Sequence, residues 1–387
     1  MKGLSLWLLA INAIAIALYS PNYLSMFHPW IKLIPVLVLV LNVIYILNNG
    51  FSYDDLKRQN LLFVFGVILF IVSLVSYQRF QILESVSFSV SFNLKVLQII
   101  SCYLIISTKE HLVFFIKVFL GILVAISLHS LLQSGLFSFG FVRPHAVVET
   151  QGYIYQYMGL WGFYRVSAEF GGIPVLRAQS FFQEPGFLAF YFCIGLFLLR
   201  YLEGEIKGKL YFFISLVLIS GVVVTFSFTG LMVLLFYFLT IRGMRLFKML
   251  SVLAGICMAI FILTNPNEYM SKSGSLELRI NDFLSIVKLL IDHLYFITGM
   301  GFGTEFLFTE SRVNNFVFEL FLYSSFLGLL VLSLYYYQLC RNLRYSSLIP
   351  VNVALFFSLS TPMFWSPVVI LCFVISDKYN RYFSEDS

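Results

Sequence analysis

The feature that most constrains the fold is a series of apolar runs, each near 20 residues long, that recurs along the whole 387-residue chain. A helix needs about 20 apolar residues to cross about 30 Å of hydrocarbon. Only 11% of the residues are charged and the mean hydropathy is +0.90, whereas soluble domains carry about 25% charged residues. The alternating pattern of an outer-membrane barrel is absent. The sequence therefore predicts an all-α fold, a polytopic helical membrane bundle in which residues 1–387 form one integral domain.

The apolar runs predict 11–12 transmembrane helices. The predicted spans are 4–19, 30–48, 61–77, 88–107, 111–135, 180–201, 210–224, 228–241, 246–264, 314–339, 346–360 and 364–376. We expect the first to be a retained helix, because no A-x-A-like cleavage site follows it. The 210–241 region is divided at TFSFTG, where Ser and Thr side chains can hydrogen-bond the backbone groups that a bend leaves free and Gly permits the bend. The last two spans can also form one helix kinked at Pro362, because proline removes a backbone donor.

The distribution of positive charge predicts the orientation. With the N-terminus inside, both termini are cytoplasmic and the short cytoplasmic loops hold an excess of lysine and arginine, as the positive-inside rule requires. These residues are Lys2, Lys57, Arg58, Lys109, Lys207, Lys209, Arg242, Arg245, Lys248, Arg341, Arg344, Lys378 and Arg381. We therefore expect a multi-pass protein of the cytoplasmic membrane.

Two long segments do not fit in lipid and are predicted to be large outer loops, 136–179 and 265–313. The first is rich in aromatic residues and glycine, which suits stacking on sugar rings and equally suits anchoring at the membrane interface. The second contains LELRINDFLSIVKLLIDHLYF, whose apolar residues recur at i, i+3 and i+4. That period predicts an amphipathic helix lying along the interface or covering a cavity. GMGFGT follows, and its glycines permit close approach of the backbone to a ligand.

The segment RAQSFFQEPGFLAFYF places a cation, a carboxylate and a proline at the start of the sixth span. Arg177 is predicted at the outer mouth and Glu184 about two turns deeper. An ionised carboxylate facing lipid costs several kcal/mol, so Glu184 faces a cavity or a cation, or it is protonated. Pro185 would free the carbonyl near position 181. A purely structural role, in which Glu184 pairs with a basic residue to fix packing, remains an alternative.

The outer loops hold more arginine than solubility requires. Arg279 lies near the start of the amphipathic helix, and Arg143, Arg165 and Arg312 are further cations on the same side. The planar guanidinium binds phosphate through two hydrogen bonds and stays charged. An anionic ligand is the expectation, with solvated loop arginines as the alternative.

The sequence gives only weak signals for a general base, a metal site or a known catalytic motif. His145 and His293 are candidate general bases, since imidazole titrates near neutrality. The five cysteines show no pairing or metal spacing, and no Walker, H-E-x-x-H or G-x-S-x-G motif occurs. We expect no metal, no cofactor and no nucleic-acid partner.

Four segments, in the same order, resemble those of the bacterial O-antigen polymerase (Wzy-type) and O-antigen ligase superfamily. RAQSFFQEPGFLAFY is similar to the family's Arg…Phe-x-Glu-Pro segment, and TFSFTGLMVLLFYF to its Thr-x-Ser-x-Thr/Ser-Gly segment. Arg279 with the GMGFG that contains Gly301 resembles the arginine and Gly-x-Gly of the second loop. NNFVFELFLYSSFLGLLVLSL, with Asn315, resembles the helix after it. The resemblance covers about half of the chain, residues 177–334.

The resemblance implies a metal-independent glycosyltransferase at the outer face of the bacterial inner membrane. Such a polymerase moves the growing glycan from an undecaprenyl-diphosphate carrier onto the terminal sugar of another lipid-linked repeat unit. Arg177 and Arg279 would stabilise the leaving diphosphate, and Glu184, or failing it His145, would accept the acceptor's proton. Substrate binding would fall to Arg143, Arg165, His145, Gly301, Arg312 and Asn315. Membrane lipids and a chain-length regulator protein are the expected partners.

Two alternatives remain. A ligase would transfer the glycan to lipid A-core, but the ligase pattern has a histidine directly before the asparagine of the post-loop helix, where this chain has Asn314. That departure favours a polymerase. A flippase for the lipid-linked unit is the third hypothesis, and the large outer loops and the absence of a matched inverted repeat count against it.

Overall fold

The computed structural model describes residues 2–18, 33–138, 141, 146–150, 153–157, 163–170, 173–180, 182, 185–240, 288, 299–302, 316–360 and 365–383. These residues form helices and one small sheet. The helices are α1 (Lys2–Leu18), α2 (Ile34–Asn49), α3 (Tyr53–Arg58), α4 (Asn60–Phe80), α5 (Leu83–Ile105), α6 (Lys109–Ser138), α7 (Pro185–Arg200), α8 (Gly208–Val224), α9 (Phe228–Thr240), α10 (Phe316–Asn342), α11 (Tyr345–Ser360) and α12 (Pro367–Phe383). The strands are β1 (Ala146–Thr150), β2 (Tyr153–Tyr157), β3 (Phe163–Phe170) and β4 (Ile173–Ser180).

Several of the helices have the length and the apolar composition of membrane spans. Within the described part of the chain, four are long and apolar enough to cross a membrane: Asn60–Phe80, Leu83–Ile105, Lys109–Phe137 and Leu322–Asn342. Shorter apolar helices accompany them, among them Pro185–Arg200 and Gly208–Val224. The prediction is confirmed in part, because the described residues are mostly helical and four of their helices could cross a membrane by length and composition.

Local signals explain where several helices begin and end. α2 has a proline in its first turn and ends at Gly50, whose φ of 76° lets its N–H donate to the Ile46 carbonyl at 2.8 Å. Ser52 caps α3, because its hydroxyl accepts from the N–H of Asp55 at 3.4 Å. Proline at the start and glycine past the end are the usual helix boundary signals.

Side-chain contacts define two ends of the bundle. At the charged end, Lys109 lies 3.1 Å from Glu205 and Lys378 lies 2.9 Å from Asp55. This end also holds the described basic residues that the positive-inside pattern grouped together, namely Lys57, Arg58, Lys207, Lys209, Arg341, Arg344 and Arg381. The opposite end, here called the sheet end, holds the foot of β4, the segment 299–302 and the first turns of α7 and α12.

The first large loop corrects the all-α prediction. β1 to β4 form an antiparallel sheet in the order β1-β2-β3-β4, and α6 continues to Ser138, so the described residues of the predicted loop 136–179 are mostly β-strand. Stretches such as YIYQY and FYRVSAEF are rich in the aromatic and β-branched residues that favour strands. Those aromatic residues were expected to stack on sugar rings or to anchor at the interface, and the strands were not predicted.

The start of the sixth span is also corrected. β4 extends to Ser180 and α7 begins at Pro185, so the helix predicted over 180–201 is shorter. Proline is favoured at the first position of a helix because its missing N–H has no partner there anyway. Pro185 therefore stands at the start of α7 instead of breaking a longer helix, while Glu184 lies outside the described residues.

Two further predictions are resolved. α8 and α9 are separate helices that meet at TFSFTG, as predicted, and Phe226 has a left-handed φ of 46° at the bend. α11 and α12 are also separate, and the Ser347 hydroxyl lies 3.4 Å from Asn380 Oδ1, so the two helices are antiparallel and not one kinked helix. The predicted span 246–264 lies outside the described residues, as does the predicted amphipathic helix apart from Lys288, which is helical.

Candidate functional site

The foot of β4 is held by two side chains of α6. Ser180 is fully buried and has a left-handed φ of 50°. Its N–H donates to Gln133 Oε1 at 3.0 Å, and its Oγ lies 2.7 Å from His129 Nδ1. The chain then turns, since the N–H of Phe182 donates to the Gln179 carbonyl at 2.9 Å. β4 is therefore fixed to α6 just before the start of α7.

The sheet brings together two arginines that the sequence analysis assigned to the site. In the β3–β4 ladder, Arg165 is the direct cross-strand partner of Arg177. Directly opposite residues of an antiparallel pair share a face, and their Cβ atoms lie about 4.5–5.5 Å apart. Two positions that are separated along the chain thus become neighbours, three residues from Ser180 along β4.

The TFSFTG bend lies beside the first turns of α7. Thr225 Oγ1 donates to the Val222 carbonyl at 2.7 Å, and the N–H of Gly230 donates to Ser227 Oγ at 3.3 Å. A Cβ on Gly230 would lie 2.7 Å from the Cβ of Ala189, which is closer than real Cβ contacts. The glycine therefore permits this bend to approach α7.

The glycine segment 299–302 is bound to a break in α10. Ser325 has φ 64° and ψ 176° within that helix, which separates the Leu322 carbonyl from its helical partner four residues on. The N–H groups of Met300 and Gly301 donate to that carbonyl at 2.5 and 3.0 Å. Phe302 stacks on Phe88 with ring centroids 4.0 Å apart. The second loop thus returns into the bundle at this break.

Buried polar groups surround the glycine segment. A Cβ on Gly301, whose φ is 80°, would lie 2.3 Å from Ser85 Oγ and 2.7 Å from Ser76 Cβ. The hydroxyls of Ser73, Ser76, Ser85 and Ser89 are buried and have no hydrogen-bond partner within the described residues. A buried hydroxyl without a partner costs free energy, so this α4–α5 surface keeps unused hydrogen-bonding capacity.

A buried carboxylate lies next to the same segment. Glu319 in the first turn of α10 is fully buried, and its Oε2 accepts from Trp365 Nε1 at 2.7 Å. The Trp365 ring packs edge-on against Phe88 and Phe92, with centroids 5.2 and 5.1 Å away. An ionisable residue in a membrane-spanning helix is a functional-site candidate by default, so FVFEL was the signal that could have found it.

Ring and hydroxyl contacts link the foot of β4, through α7, to the start of α12. The ring centroids of Phe182 and Tyr191 are 4.8 Å apart. The Tyr191 hydroxyl lies 3.4 Å from that of Ser366, which directly follows Trp365. A continuous set of contacts therefore runs from the foot of β4 to the glycine segment.

The structure describes three of the predicted site residues: the backbone of Arg165 and of Arg177, and Gly301. The others lie outside the described residues, namely Glu184, Arg279, Arg143, His145, Arg312 and Asn315. His129, Gln133, Ser180 and Glu319 were not predicted. A histidine and a glutamine four residues apart near the end of an apolar helix were the available signal for the first two, because residues at i and i+4 share a helix face.

Comparisons with known proteins identify no relative. No protein-family model, no curated protein and no solved structure matches this chain.

Proposed function

We propose that this chain is a membrane glycosyltransferase of the polysaccharide polymerase type. It transfers the growing glycan from an undecaprenyl-diphosphate donor onto a lipid-linked repeat unit at the outer face of the bacterial inner membrane. The observation that carries the proposal is the cross-strand pairing of Arg165 with Arg177 at the sheet end.

This pairing favours an anionic ligand. Like charges directly opposite one another in a ladder are destabilising, and a bound dianion offsets that repulsion. Guanidinium groups suit phosphate because they present a planar fork of donors. Negative charge develops on the leaving diphosphate during glycosyl transfer, and cations placed where charge develops lower the barrier.

Segments that carry the family resemblance lie at the same end of the bundle, which supports a single site. Residues 177–180, the bend 225–230, the segment 299–302 and the first turns of α10 all lie at the sheet end. They are far apart along the chain. A reaction between two bulky lipid-linked substrates requires that both bind close together at one site.

The proposed orientation puts the sheet end outside. The charged end collects the basic residues, and cytoplasmic loops carry the excess of lysine and arginine. The sheet end then faces the compartment where lipid-linked repeat units are polymerised. Ligase and flippase activities are the competing functions that the experiment separates.

The experiment compares the glycan made by a deletion strain complemented with wild-type and variant chains at matched protein levels. A polymerase predicts single-repeat glycolipid in the deletion strain and a full ladder with the wild type. Arg165→Ala and Arg177→Ala should each shorten or abolish the ladder, because each removes a donor to the diphosphate. Arg341→Ala is the matched control, since this exposed arginine lies at the charged end and should leave the ladder unchanged.

Three outcomes contradict the proposal. Ladders of wild-type length from both arginine variants exclude the diphosphate site. A deletion strain that accumulates carrier-linked polymer and lacks glycan on the lipid A-core indicates a ligase. Repeat units retained on the cytoplasmic leaflet indicate a flippase.

A further inference from the structure

The break in α10 is held in a backbone conformation that glycine adopts far more readily than any other residue. Ser325 is buried and has φ 64° and ψ 176°, which lies in a region that is essentially reserved for glycine. A residue with a Cβ stays there only where its surroundings hold it, and such residues cluster at ligand clamps and switch regions. Contacts from outside the local sequence must therefore hold Ser325 in this conformation.

Hydrogen bonds from outside the regular helix stabilise the break. Ser325 Oγ accepts from the N–H of Leu327 at 3.3 Å, so the half of α10 after the break has a serine N-cap. On the other side of the break, the Leu322 carbonyl accepts from the N–H groups of Met300 and Gly301 at 2.5 and 3.0 Å. The glycine segment thus occupies the carbonyl that a continuous helix would pair with the residue four positions on.

The glycine segment is wedged between α4, α5 and α10. A Cβ on Gly299 would lie 2.6 Å from Cγ1 of Val72 in α4 and 3.2 Å from the Ser325 nitrogen. The Phe302 ring stacks on Phe88 of α5, with centroids 4.0 Å apart. The segment therefore reaches the break while it packs on two other helices, and its docking and the break depend on each other.

A second arrangement of α10 satisfies the same carbonyl. If the glycine segment leaves, the Leu322 carbonyl can accept from the N–H of Phe326, and Ser325 can adopt helical φ and ψ. The strain at Ser325 opposes docking, whereas the two N–H groups and the ring stack of Phe302 favour it. Because each of these contributions is small, the two arrangements are close in free energy.

We propose that Ser325 is a two-state hinge in α10 and that the glycine segment is the latch that keeps the helix broken. In the docked state, the Leu322 carbonyl binds the segment and α10 is interrupted. In the released state, the same carbonyl pairs within α10 and the helix is continuous. A switch of this kind exchanges one set of backbone hydrogen bonds for another at a single residue.

The hinge lies where its movement reaches the sheet end. The hydroxyls of Ser76 and Ser85 lie against Gly301, so release of the segment uncovers them. Glu319 stands less than two turns before the break, so a continuous helix changes the direction of the turns that carry it. The hinge is a property of the fold and does not rest on the proposed glycosyl transfer.

The direct test is amide hydrogen exchange of the full-length protein in nanodiscs, measured residue by residue at Met300 and Gly301. Ser325→Gly removes the strain of the docked state and weakens the continuous helix, so protection of these two amides should rise about tenfold. Ser325→Ala removes the capping hydroxyl and favours the continuous helix, so their protection should fall about tenfold. The hinge thus predicts opposite shifts from two small substitutions of one residue.

Ser324 provides the matched controls. It is also buried, but its backbone is helical and its hydroxyl donates to the Leu320 carbonyl at 2.8 Å. Its backbone stays helical whether the segment is docked or released, so Ser324→Gly and Ser324→Ala affect both states alike. Neither variant should shift protection at Met300 or Gly301 relative to the rest of α10.

Phe302→Ala tests the latch without touching α10, which keeps the proposal testable where a Ser325 variant does not fold. The substitution removes the stack on Phe88 and should release the segment. Protection should then fall at Met300 and rise at Phe326, whose N–H pairs with the Leu322 carbonyl in the continuous helix. A fall at Met300 with no change at Phe326 would show that the segment leaves while α10 stays broken, which overturns the hinge.

A rigid break gives a different pattern. If α10 has one conformation, Met300 and Gly301 exchange only through global unfolding, and both Ser325 variants shift their protection in the same direction as overall stability. Either observation overturns the hinge. The chain-extension assay is separate: a wild-type protein that does not extend repeat units overturns the polymerase proposal, and opposite shifts in that same protein still support the hinge.

Discussion

Gly301 shows at the scale of one residue why the glycine segment has its sequence. Its φ of 80° is unfavourable for any residue with a Cβ, and the space that a Cβ would occupy is taken by Ser85 and Ser76. The backbone therefore needs glycine for two separate reasons, conformation and close approach. Gly50 has a similar φ of 76° and nothing within 4 Å of the Cβ position, so it needs glycine for conformation alone.

That contrast predicts different costs for one substitution. Gly50→Ala should lower the free energy of unfolding by about 1–2 kcal/mol, the price of a left-handed residue. Gly301→Ala should lower it by about 1–3 kcal/mol more, because overpacking adds to the same conformational cost. The measurement is denaturant unfolding in mixed micelles for both variants and the wild type. Equal losses in the two variants would show that Ser76 and Ser85 move aside freely.

Single residues were predictable from the sequence only where their neighbours along the chain gave a signal. Gly301 stands in GMGFG, and Arg177 in a segment with an unusual Glu-Pro, so both could be named as candidates. His129 and Glu319 stand in apolar helices, and their hydrogen-bond partners Ser180 and Trp365 are distant in sequence. Such pairings have no local pattern, so the sequence could not supply them.

At the scale of secondary-structure elements, a network of buried side-chain amides joins α1, α2 and α5. Asn12 of α1 and Asn42 of α2 each donate to the other's Oδ1, at 2.8 and 3.0 Å. Asn42 also donates to Ser101 Oγ of α5 at 2.8 Å. Apolar side chains give little driving force for association in lipid, so interhelical hydrogen bonds and close packing hold such helices together.

The network predicts non-additive losses. Asn12→Leu and Asn42→Leu should each lower the free energy of unfolding by about 1–2 kcal/mol, because each leaves a buried amide with fewer partners. The double variant should lose about 0.5–1.5 kcal/mol less than the sum of the two, since the amides act on one another. Asn48→Leu is the control on the same helix, where the side chain is exposed and the change should stay within about 0.5 kcal/mol. Strictly additive losses would contradict the coupling.

The sequence predicted the helices better than the strands. Apart from the short polar helix α3, each described helix overlaps an apolar run that the sequence predicted as a span, because the hydrocarbon core dictates both length and composition. The strands were missed because the alternation in FYRVSAEF is irregular, and aromatic residues are common both in strands and at membrane interfaces. The start of α7 was placed too early because the sequence becomes apolar directly after Ser180, at FF, before the helix begins at Pro185.

At the scale of the molecule, a buried charge cluster closes the charged end. Asp55 accepts from Lys378 at 2.9 Å and also from Arg381, while Asp377 accepts from Tyr103 at 2.5 Å. The Lys378 side chain is fully buried and that of Asp55 is 7% exposed. The cluster connects α3, α5 and α12, so it joins early and late parts of the chain.

Removing one member should destabilise the whole fold. Asp55→Asn leaves the Lys378 ammonium buried without its nearest counter-charge, and breaking a buried pair in this way costs about 3–5 kcal/mol. Asp54→Asn is the matched control, because the neighbouring carboxylate is exposed and its loss should be close to neutral. Unfolding in mixed micelles at pH 7 measures both. A loss below about 1 kcal/mol for Asp55→Asn would show that water already reaches the cluster.

The same cluster predicts a pH dependence. Burial lowers the pKa of Lys378, and Asp55 opposes that shift; Asp55→Asn should therefore lower the pKa further. Between the folded-state pKa and the unfolded value of about 10.4, the unfolded chain binds more protons, so stability rises with pH. The deficit of Asp55→Asn relative to the wild type should be largest at neutral pH and shrink as the pH approaches 10. A deficit that grows over this range would contradict the predicted sign.

The central claim is that the sheet end transfers glycan between lipid-linked repeat units. The most direct measurement is reconstitution of the purified wild-type chain in liposomes with repeat units extracted from the deletion strain. The account predicts a ladder of products that differ by one repeat, and its loss when Arg177→Ala replaces the wild type. Unextended repeat units after incubation with correctly folded wild-type protein would contradict it.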